Sequence, residues 1–203
     1  QMNNMCLVYQ IFIQKNYKRL LAYSSIEHAG LLALGFGFGG VGTFAALLHM
    51  LYHALAKGLV FFAAGNVFLK YGSSKMHHIT GLIRVLPLSS IVLFIAFLAL
   101  LGLPPFGLFF TEFSLLSAGL EQYPYLVALV LLTLAIIFFG FLKHLVAMLF
   151  GPVPENIVPG ESNMLTQVPM VLLLVLFFLL SWYLPETLEA LIRLAEQSIS
   201  INS

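Results

Sequence analysis

The sequence predicts an all-α integral membrane protein, a bundle of about five transmembrane helices of which the third is discontinuous. Three observations support this fold class. Of the 203 residues, 61% are apolar and only 8% are charged, with a mean hydropathy of +1.00, whereas a soluble domain usually carries about a quarter charged residues. Several apolar stretches reach the roughly 20 residues that a helix needs to cross the hydrocarbon core. Two adjacent prolines interrupt one of these stretches.

The first two spans are predicted at about residues 23–43 and 44–69, after a polar segment at residues 14–19. Ser24 and Glu27 have the three-residue spacing of a capping box, in which two side chains satisfy free amides at the beginning of a helix. This spacing places the beginning of the first span close to Ser24.

The third predicted span, at about residues 85–120, contains a break. Pro104 and Pro105 remove two amide donors from the helix, and Gly102 and Gly107 on either side permit a bend. Non-helical backbone at membrane depth is tolerated only where it lies within protein or lines a cavity. The sequence therefore predicts a discontinuous helix of the kind that forms ion sites in transporters.

Two further spans and a tail complete the predicted bundle. Apolar runs at about residues 125–150 and 166–184 are long enough to cross the membrane as helices. The last segment, residues 185–203, is predicted to form a short amphipathic helix at most. The sequence contains no low-complexity linker, so residues 1–203 are interpreted as a single membrane domain.

The charges in the loops predict an orientation, because alternate loops of a helical bundle lie on the same side of the membrane. One side then carries most of the basic residues, namely Lys15, Lys18, Arg19, Lys70, Lys75 and Arg84. The other side carries Arg193 with the acidic residues Glu121, Glu186, Glu189 and Glu196. By the positive-inside rule, the loops near residues 14–19 and 70–85 are predicted to be cytoplasmic and the C-terminus to face outward.

Composition also excludes several classes of function. Cys6 is the only cysteine, so the chain cannot form a disulfide framework or a cysteine-ligated metal or iron–sulfur centre by itself. The formal net charge is +1, which does not support a nucleic-acid-binding surface.

His49, His53 and Lys57 are titratable residues within the second predicted span. Steps of four residues rotate a helix by only about 40°, so the three side chains share one stripe about 12 Å long. Ionisable groups inside a membrane are costly and usually mark an ion pathway, and an imidazole titrates close to neutral pH. The stripe therefore predicts a proton pathway. The alternative is a set of polar contacts between helices, with Lys57 reaching toward the head groups.

The spacing of these two histidines, His-x-x-x-His, would also suit zinc. No glutamate follows the first histidine, and no third ligand is evident in the sequence. The Lys57 cation would also repel a metal ion. We therefore expect neither a metal nor another cofactor.

Glu112 is the second predicted site, because it follows the proline break at the beginning of the resumed helix. The N-terminus of a helix stabilises a carboxylate, whereas burial disfavours its charge. These opposing effects make Glu112 a candidate acceptor for a proton or another cation. In the alternative interpretation, the break serves packing and Glu112 bonds to a neighbouring helix.

Four more titratable residues lie in or near the spans. Lys143 and His144 fall about two turns before the predicted cytoplasmic end of the fourth span. They lie on the proton path, or else Lys143 reaches toward the head groups. Glu27 and His28 are expected at the mouth of the first span, where they cap the helix and face the interface, or mark the place where protons enter.

Three motifs resemble one family of membrane proteins. Residues 18–30 (Lys-Arg-Leu-Leu-Ala-Tyr-Ser-Ser-Ile-Glu-His-Ala-Gly) resemble a segment of the antiporter-like subunits of respiratory complex I, Mrp-type cation/proton antiporters and group 4 hydrogenases. His49, His53 and Lys57 match a helix of that family with the same spacing. Residues 102–113, with Gly-Leu-Pro-Pro-Phe-Gly followed by Thr-Glu-Phe, are similar to its discontinuous helix. The amino-acid sequences of the first and third motifs are most similar to those of hydrogenase-4 component F.

The resemblance covers about residues 14–150 and implies a particular architecture. Members of the family have about fourteen helices built from two inverted repeats, so this chain would supply the last five helices of a longer protein. It has no counterpart of the family's first-half glutamate or broken-helix lysine, and Asn16 stands where many relatives have an acidic residue. We therefore interpret the chain as a C-terminal part that holds the outward half of a proton path.

The resemblance also implies a function. The chain would be a proton-translocating membrane subunit of a hydrogenase-4-like or complex I-like oxidoreductase, without a redox centre of its own. Its partners would be membrane lipid, other membrane subunits including homologous antiporter-like ones, and indirectly the peripheral redox subunits, at the inner (cell) membrane of a bacterium or archaeon. Redox energy released in the partner subunits would shift the pKa values of Lys57 and Glu112 through charge coupling along the membrane arm. Two alternatives stay open, namely an Mrp-type Na⁺/H⁺ antiporter component and an inert structural membrane subunit.

Overall fold

The computed structural model describes residues 11–161 and 164–200, and within these ranges its regular structure is helical. The helices are α1 (Tyr17–Phe38), α2 (Val41–Tyr71), α3 (Pro87–Leu100), α4 (Gly107–Leu120), α5 (Pro124–Phe150), α6 (Met164–Trp182) and α7 (Glu186–Ser200). Short turns of helix lie between α2 and α3, at Met76–His78 and Leu82–Val85. The predicted all-α fold class is confirmed.

Three of these helices are long and apolar enough to cross a membrane, namely α2, α5 and α6 from Leu165 onward. The apolar helices α3 and α4 have 14 residues each, which is about 21 Å at 1.5 Å per residue and too short to cross alone. α1 has 22 residues, but it is not among the three because polar residues such as Glu27 and His28 lower its hydropathy.

Together α3 and α4 form one interrupted crossing that runs antiparallel to α2. The side-chain amide of Asn66 on α2 donates to the Ser89 hydroxyl of α3 at 3.2 Å. Earlier along α2, the Tyr52 ring packs against Gly107 at the beginning of α4. The predicted discontinuous helix is therefore confirmed, with residues 101–106 forming the break.

α1 begins earlier than the capping-box spacing predicts. Its N-cap is Asn16, whose side-chain oxygen accepts a 2.9 Å hydrogen bond from a backbone amide of the first turn. The next residue, Tyr17, is buried and donates its hydroxyl to the carbonyl of Ala64 at 3.1 Å. Ser24 therefore lies two turns inside the helix, where its hydroxyl donates to the carbonyl of Leu21 at 3.0 Å. The predicted capping box is wrong, because tertiary contacts of the preceding residues extend the helix.

α2 is the central helix of the bundle, and it packs against α1, α3, α4, α6 and α7. Small residues face these neighbours, and Ala46, Ala56 and Ala63 have no exposed surface. Small side chains let helix backbones approach closely, which is how helices associate in a membrane. Other helices cover one side of α2, and its buried polar residues His49, Lys57 and Asn66 are held there within protein.

α3 is capped by a side chain from the loop between α5 and α6. One carboxylate oxygen of Glu161 accepts hydrogen bonds from the backbone amides of Leu88 (2.6 Å) and Ser89 (3.1 Å). The other accepts from the Ser89 hydroxyl at 2.9 Å. These bonds satisfy free amides at the helix N-terminus, and the negative charge complements the helix dipole. Glu161 thereby fixes the beginning of α3, which is the first half of the interrupted span.

α7 is the amphipathic helix predicted for the tail. Ile192 on its inner side is buried, whereas Glu189 and Arg193 form an ion pair of 2.7 Å on a more exposed side. The guanidinium carbon of Arg193 lies 4.7 Å from the centre of the Phe44 ring. α7 therefore covers the beginning of α2. We call this end of the bundle, which also holds the α1–α2 turn, the α7 end.

Candidate functional site

Lys57 lies near the middle of α2 and is only 6% exposed. Its ammonium group donates two hydrogen bonds of 2.6 Å, to the carbonyl of Leu21 and to the hydroxyl of Ser24, both on α1. The carboxylate of Glu27, which follows on α1, lies within electrostatic reach of this ammonium group. The lysine therefore points into the bundle and does not reach toward the head groups.

Three imidazoles lie beside one another next to Lys57. His49 and His53 are on the face of α2 that meets His28 of α1. The ring centres of His28 and His53 are 4.5 Å apart, those of His28 and His49 are 5.1 Å apart, and those of His49 and His53 are 6.3 Å apart. His28 and His49 have no exposed surface. The stripe predicted on α2 is thus turned toward α1, and His28 joins it there.

A continuous chain of hydrogen bonds runs through two of these imidazoles. The Thr111 hydroxyl of α4 lies 2.9 Å from Nδ1 of His49, and Nε2 of His49 lies 3.0 Å from Nδ1 of His28. Nε2 of His28 lies 3.1 Å from the carbonyl oxygen of Leu100. We call these four residues the relay. Leu100 is the last residue of α3, and carbonyls at the end of a helix need partners from outside it.

The carbonyl of Leu100 fixes the direction of these hydrogen bonds when both imidazoles are neutral. A carbonyl only accepts, so Nε2 of His28 carries the hydrogen and its Nδ1 accepts from Nε2–H of His49. Nδ1 of His49 then accepts from the Thr111 hydroxyl. Every donor in the relay therefore points from α4 through α2 and α1 to α3.

One added proton reverses part of this order. When the proton rests on His28, both of its nitrogens donate, so Nε2 of His49 accepts and its Nδ1 donates to Thr111. The Thr111 hydroxyl then donates to the carbonyl of Leu108, which lies 2.9 Å from its oxygen. Both arrangements pair every donor of the relay with an acceptor. The relay can therefore take up or release one proton without moving a helix.

Glu112 lies beside the relay, with Oε1 3.9 Å from Nδ1 of His28. It is 9% exposed, and a carboxylate this close in a buried site stabilises a positive imidazolium. Gly102 lies against the same carboxylate, because a Cβ atom built at this position would collide with it. Gly102 also has a φ of 62°, a left-handed conformation that favours glycine. Both the turn and the carboxylate therefore require glycine here.

The other residues of the predicted break have different surroundings. Gly107 packs against the Tyr52 ring, where a Cβ atom would lie 2.6 Å from a ring carbon. Pro104 and Pro105 are exposed. The prolines therefore interrupt the backbone, whereas the glycines make room for the side chains of the site.

Two cavities flank α4. The first has a volume of about 390 Å³, lies between α2, α4 and the end of α6, and has Thr111, Tyr52 and Ser181 among its lining residues. The second has a volume of about 260 Å³, lies between the break, α4 and α5, and is lined in part by Gly102 and Glu112. Thr111 of the relay thus lines one cavity and Glu112 lines the other.

Lys143 and His144 of α5 lie apart from this site. The Lys143 side chain is exposed, and Nε2 of His144 contacts the backbone carbonyl of Ile11 at 2.8 Å. The structure does not bring these two residues to Lys57 or to Glu112.

Sequence reasoning missed several groups of the site. Thr111, Ser24 and the Leu100 carbonyl do not ionise, so a search for titratable residues passes over them. The expectation that His28 lies at the helix mouth is wrong, because α1 begins at Tyr17 and this carries His28 into the centre of the bundle. In the sequence, the position of Thr111 directly before Glu112 is the one indication that a hydrogen-bonding side chain belongs to the site.

The fold also brings together three potential metal ligands that the sequence does not show to be close to one another. His28 and Glu112 come from other helices to His49, and their donor atoms lie within 4.8 Å of one another. The facing nitrogens of His28 and His49 already bond to each other, so a metal ion would have to break the relay. The geometry therefore favours a hydrogen-bonded pair of imidazoles over a metal centre at these residues.

Known proteins share both the sequence and this fold. The family described as NADH:quinone oxidoreductase/Mrp antiporter, TM, matches residues 10–139. A hydrogenase-4 component F homolog from Methylacidiphilum infernorum is 36% identical over 173 residues, which is 85% of this chain and 36% of that protein. A chain of the archaeal membrane-bound sulfane sulfur reductase superposes with a TM-score of 0.84 and 29% identity, covering 95% of this chain and 39% of that one.

A chain of respiratory complex I from Thermus thermophilus superposes with a TM-score of 0.77 and 25% identity, covering 95% of this chain and 42% of that one. This chain thus spans between 36% and 42% of the length of these three relatives.

Proposed function

We propose that this chain, which belongs to the NADH:quinone oxidoreductase/Mrp antiporter family of membrane proteins, translocates protons as part of a membrane subunit of an oxidoreductase complex. The complex would be hydrogenase-4-like or complex I-like. The relay of Thr111, His49, His28 and the Leu100 carbonyl is the observation that carries this proposal. Its two fully hydrogen-bonded arrangements differ by one proton, and the nitrogen that gains it, Nδ1 of His28, lies 3.9 Å from Oε1 of Glu112.

His53 is proposed to connect Lys57 with the relay. Its ring lies 4.5 Å from that of His28, and its buried Nε2 has no hydrogen-bond partner among the described residues. An internal water usually satisfies a buried polar atom of this kind. A water molecule at Nε2 of His53 would let the Lys57 ammonium group exchange a proton with the imidazoles, because His53 and Lys57 lie on the same face of α2.

Partner subunits are proposed to drive this movement. The chain would carry no redox centre and would work beside other membrane subunits, including antiporter-like ones, while peripheral subunits perform the electron transfer. A charge that changes in a neighbouring subunit alters the field at Lys57 and Glu112, and buried charges interact strongly because little water screens them. The proposed location is the cell membrane of a bacterium or archaeon, with the loops near residues 14–19 and 70–85 in the cytoplasm.

An Mrp-type Na⁺/H⁺ antiporter component is the second candidate. Glu112 lines the cavity of about 260 Å³ beside the break, and hard cations prefer carboxylate oxygen ligands. In this case Glu112 would exchange its proton for Na⁺. Proton movement that depends on Na⁺ at constant pH would favour this candidate over the first.

The test is Lys57→Ala in the complete protein within its assembled complex, with proton translocation and electron transfer measured separately in membrane vesicles. Lys70→Ala is the matched control, because Lys70 lies at the end of the same helix, in its last turn. We expect Lys57→Ala to lose most of the translocation and Lys70→Ala to retain it. Full translocation by correctly assembled Lys57→Ala complexes would support an inert structural subunit instead.

A further inference from the structure

The cavity between α2, α4 and the end of α6 extends from the α7 end toward the relay. Val41 and Phe44 line it at the beginning of α2, and Tyr52 lines it deeper in the bundle. The distance from Val41 to Tyr52 along the helix is about 16 Å at 1.5 Å per residue. The volume of about 390 Å³ accommodates roughly a dozen water molecules at about 30 Å³ each.

Hydroxyl groups lie among the apolar residues that line this cavity. Tyr52 donates its hydroxyl to the carbonyl of Leu180 at 2.9 Å, and Ser114 donates to a carbonyl of its own helix. The Ser181 hydroxyl is buried, and within the described ranges it has no hydrogen-bond partner. An unpaired buried hydroxyl costs free energy unless water satisfies it. The Ser181 hydroxyl therefore favours water over a purely apolar occupant in this part of the cavity.

Thr111 belongs to the cavity and to the relay at the same time. It is one of the residues that line the cavity, and its hydroxyl lies 2.9 Å from Nδ1 of His49. The same hydroxyl has the Leu108 carbonyl as an alternative acceptor. It can therefore turn between two acceptors while a water molecule approaches from the cavity.

We propose that this cavity is a hydrated vestibule through which Thr111 exchanges protons between the relay and water at the α7 end. The inference rests on the proposed function. It adds the route by which protons reach the relay, and it names Thr111 as the residue at the inner end of that route. A hydronium ion in the vestibule gives a proton to the Thr111 oxygen, and Thr111 passes its own proton to Nδ1 of His49. His49 then passes its Nε2 proton to Nδ1 of His28. One hydronium becomes water and one imidazolium forms, and release follows the reverse order.

The experiment is thiol labelling in the assembled complex, in a background in which Cys6 is replaced by alanine. A thiol reacts as its thiolate, which forms where water reaches it, so labelling by a membrane-impermeant charged reagent reports a hydrated site. We expect Ser181→Cys to be labelled from the membrane side that also labels Thr187→Cys, which lies at an exposed position at the start of α7. We also expect this labelling to reduce proton translocation, because the added group blocks the route.

Ser90→Cys is the matched control. The Ser90 hydroxyl is also buried and without a partner in the described part of the chain, but it lies on α3 and does not line the vestibule. We expect it to react at least about tenfold more slowly than Ser181→Cys, because the vestibule does not lead a membrane-impermeant reagent to this position. Protection of Ser181→Cys, or labelling from the other side only, would overturn the inference and indicate that lipid or protein fills the cavity.

A second pair of variants tests Thr111 itself. Thr111→Val removes the hydroxyl with almost no change of volume, and Thr111→Ser keeps it. We expect translocation to be lost in the first and retained in the second, and equal rates in both would refute the role of the hydroxyl. The labelling reports whether the vestibule is hydrated even when the complex does not translocate protons. It therefore tests the vestibule separately from the proposed function. Labelled Ser181→Cys with unaffected Lys57→Ala transport would leave the vestibule standing and refute the proposed function.

Discussion

The Glu112 carboxylate lies 3.9 Å from Nδ1 of His28, although the two residues belong to different helices and are 84 positions apart in the sequence. This pair gives the relay a place where a positive charge can rest. His28 receives the hydrogen bond of His49 and gives its own to the carbonyl that the break exposes at Leu100. The break in the third span therefore supplies a backbone acceptor as well as room for the carboxylate.

His28→Gln is expected to stop proton translocation while the complex still assembles. An amide can form hydrogen bonds at this position, but it cannot carry a proton between them. Loss of a proton-transferring side chain typically costs about two orders of magnitude or more in rate. The measurement is protons moved per electron in vesicles. His78→Gln, at an exposed position between α2 and α3, is the control, and equal effects of the two variants would refute a special role for His28.

Glu112→Gln is expected to reduce translocation and to preserve the packing against Gly102. The amide has nearly the same shape as the carboxylate, but it does not stabilise a charged His28, since it carries no negative charge. Translocation rate and complex stability are both measured. Glu121→Gln changes an exposed carboxylate at the end of α4 and should leave both quantities unaltered. A wild-type rate in Glu112→Gln would show that the relay works without this charge.

Gly102→Ala is expected to destabilise the protein by about 1–3 kcal/mol, because the left-handed backbone disfavours a side chain. Its Cβ atom would also displace the Glu112 carboxylate, so translocation should fall as well. Thermal unfolding of the purified complex measures the first effect. Gly30→Ala is the control, since an added Cβ there meets no neighbour in the described structure and the residue is helical. Equal stability of the two variants would contradict the steric argument.

Glu161→Gln is expected to destabilise the start of α3 by about 1 kcal/mol, because the capping hydrogen bonds lose their charge assistance. Glu155→Gln lies in the same loop and is exposed, so its unfolding temperature should match that of the wild type. The comparison uses thermal unfolding of both variants in the same detergent. An unfolding temperature of Glu161→Gln equal to or above that of Glu155→Gln would refute the capping role.

Lys143→Ala is expected to retain most of the translocation that Lys57→Ala loses. The Lys143 side chain is exposed, whereas the Lys57 ammonium group is buried and bonded to α1. Both variants are measured in the same vesicles at the same protein content. An equal loss in the two would place α5 on the proton path and extend it beyond the relay.

Several features of the site could be predicted from the sequence, because they depend on local rules. The four-residue spacing puts His49, His53 and Lys57 on one face of a helix in any surroundings, and all three contact or adjoin α1. The break could be predicted because proline has no amide hydrogen to donate. The start of α1 could not, since the buried Tyr17 side chain extends the helix through a contact with Ala64, 47 residues away.

The sequence by itself determined that the chain is a membrane helical bundle with an interrupted span and titratable residues on one stripe, because composition and helical periodicity act within each segment. Only the tertiary structure decided that His28 lies at the centre, that Thr111 and Leu100 complete the relay, and that Lys143 stays outside it. These features depend on the register between helices. That register is set by how small residues and glycines of neighbouring helices pack. It therefore cannot be predicted from the sequence of any one helix.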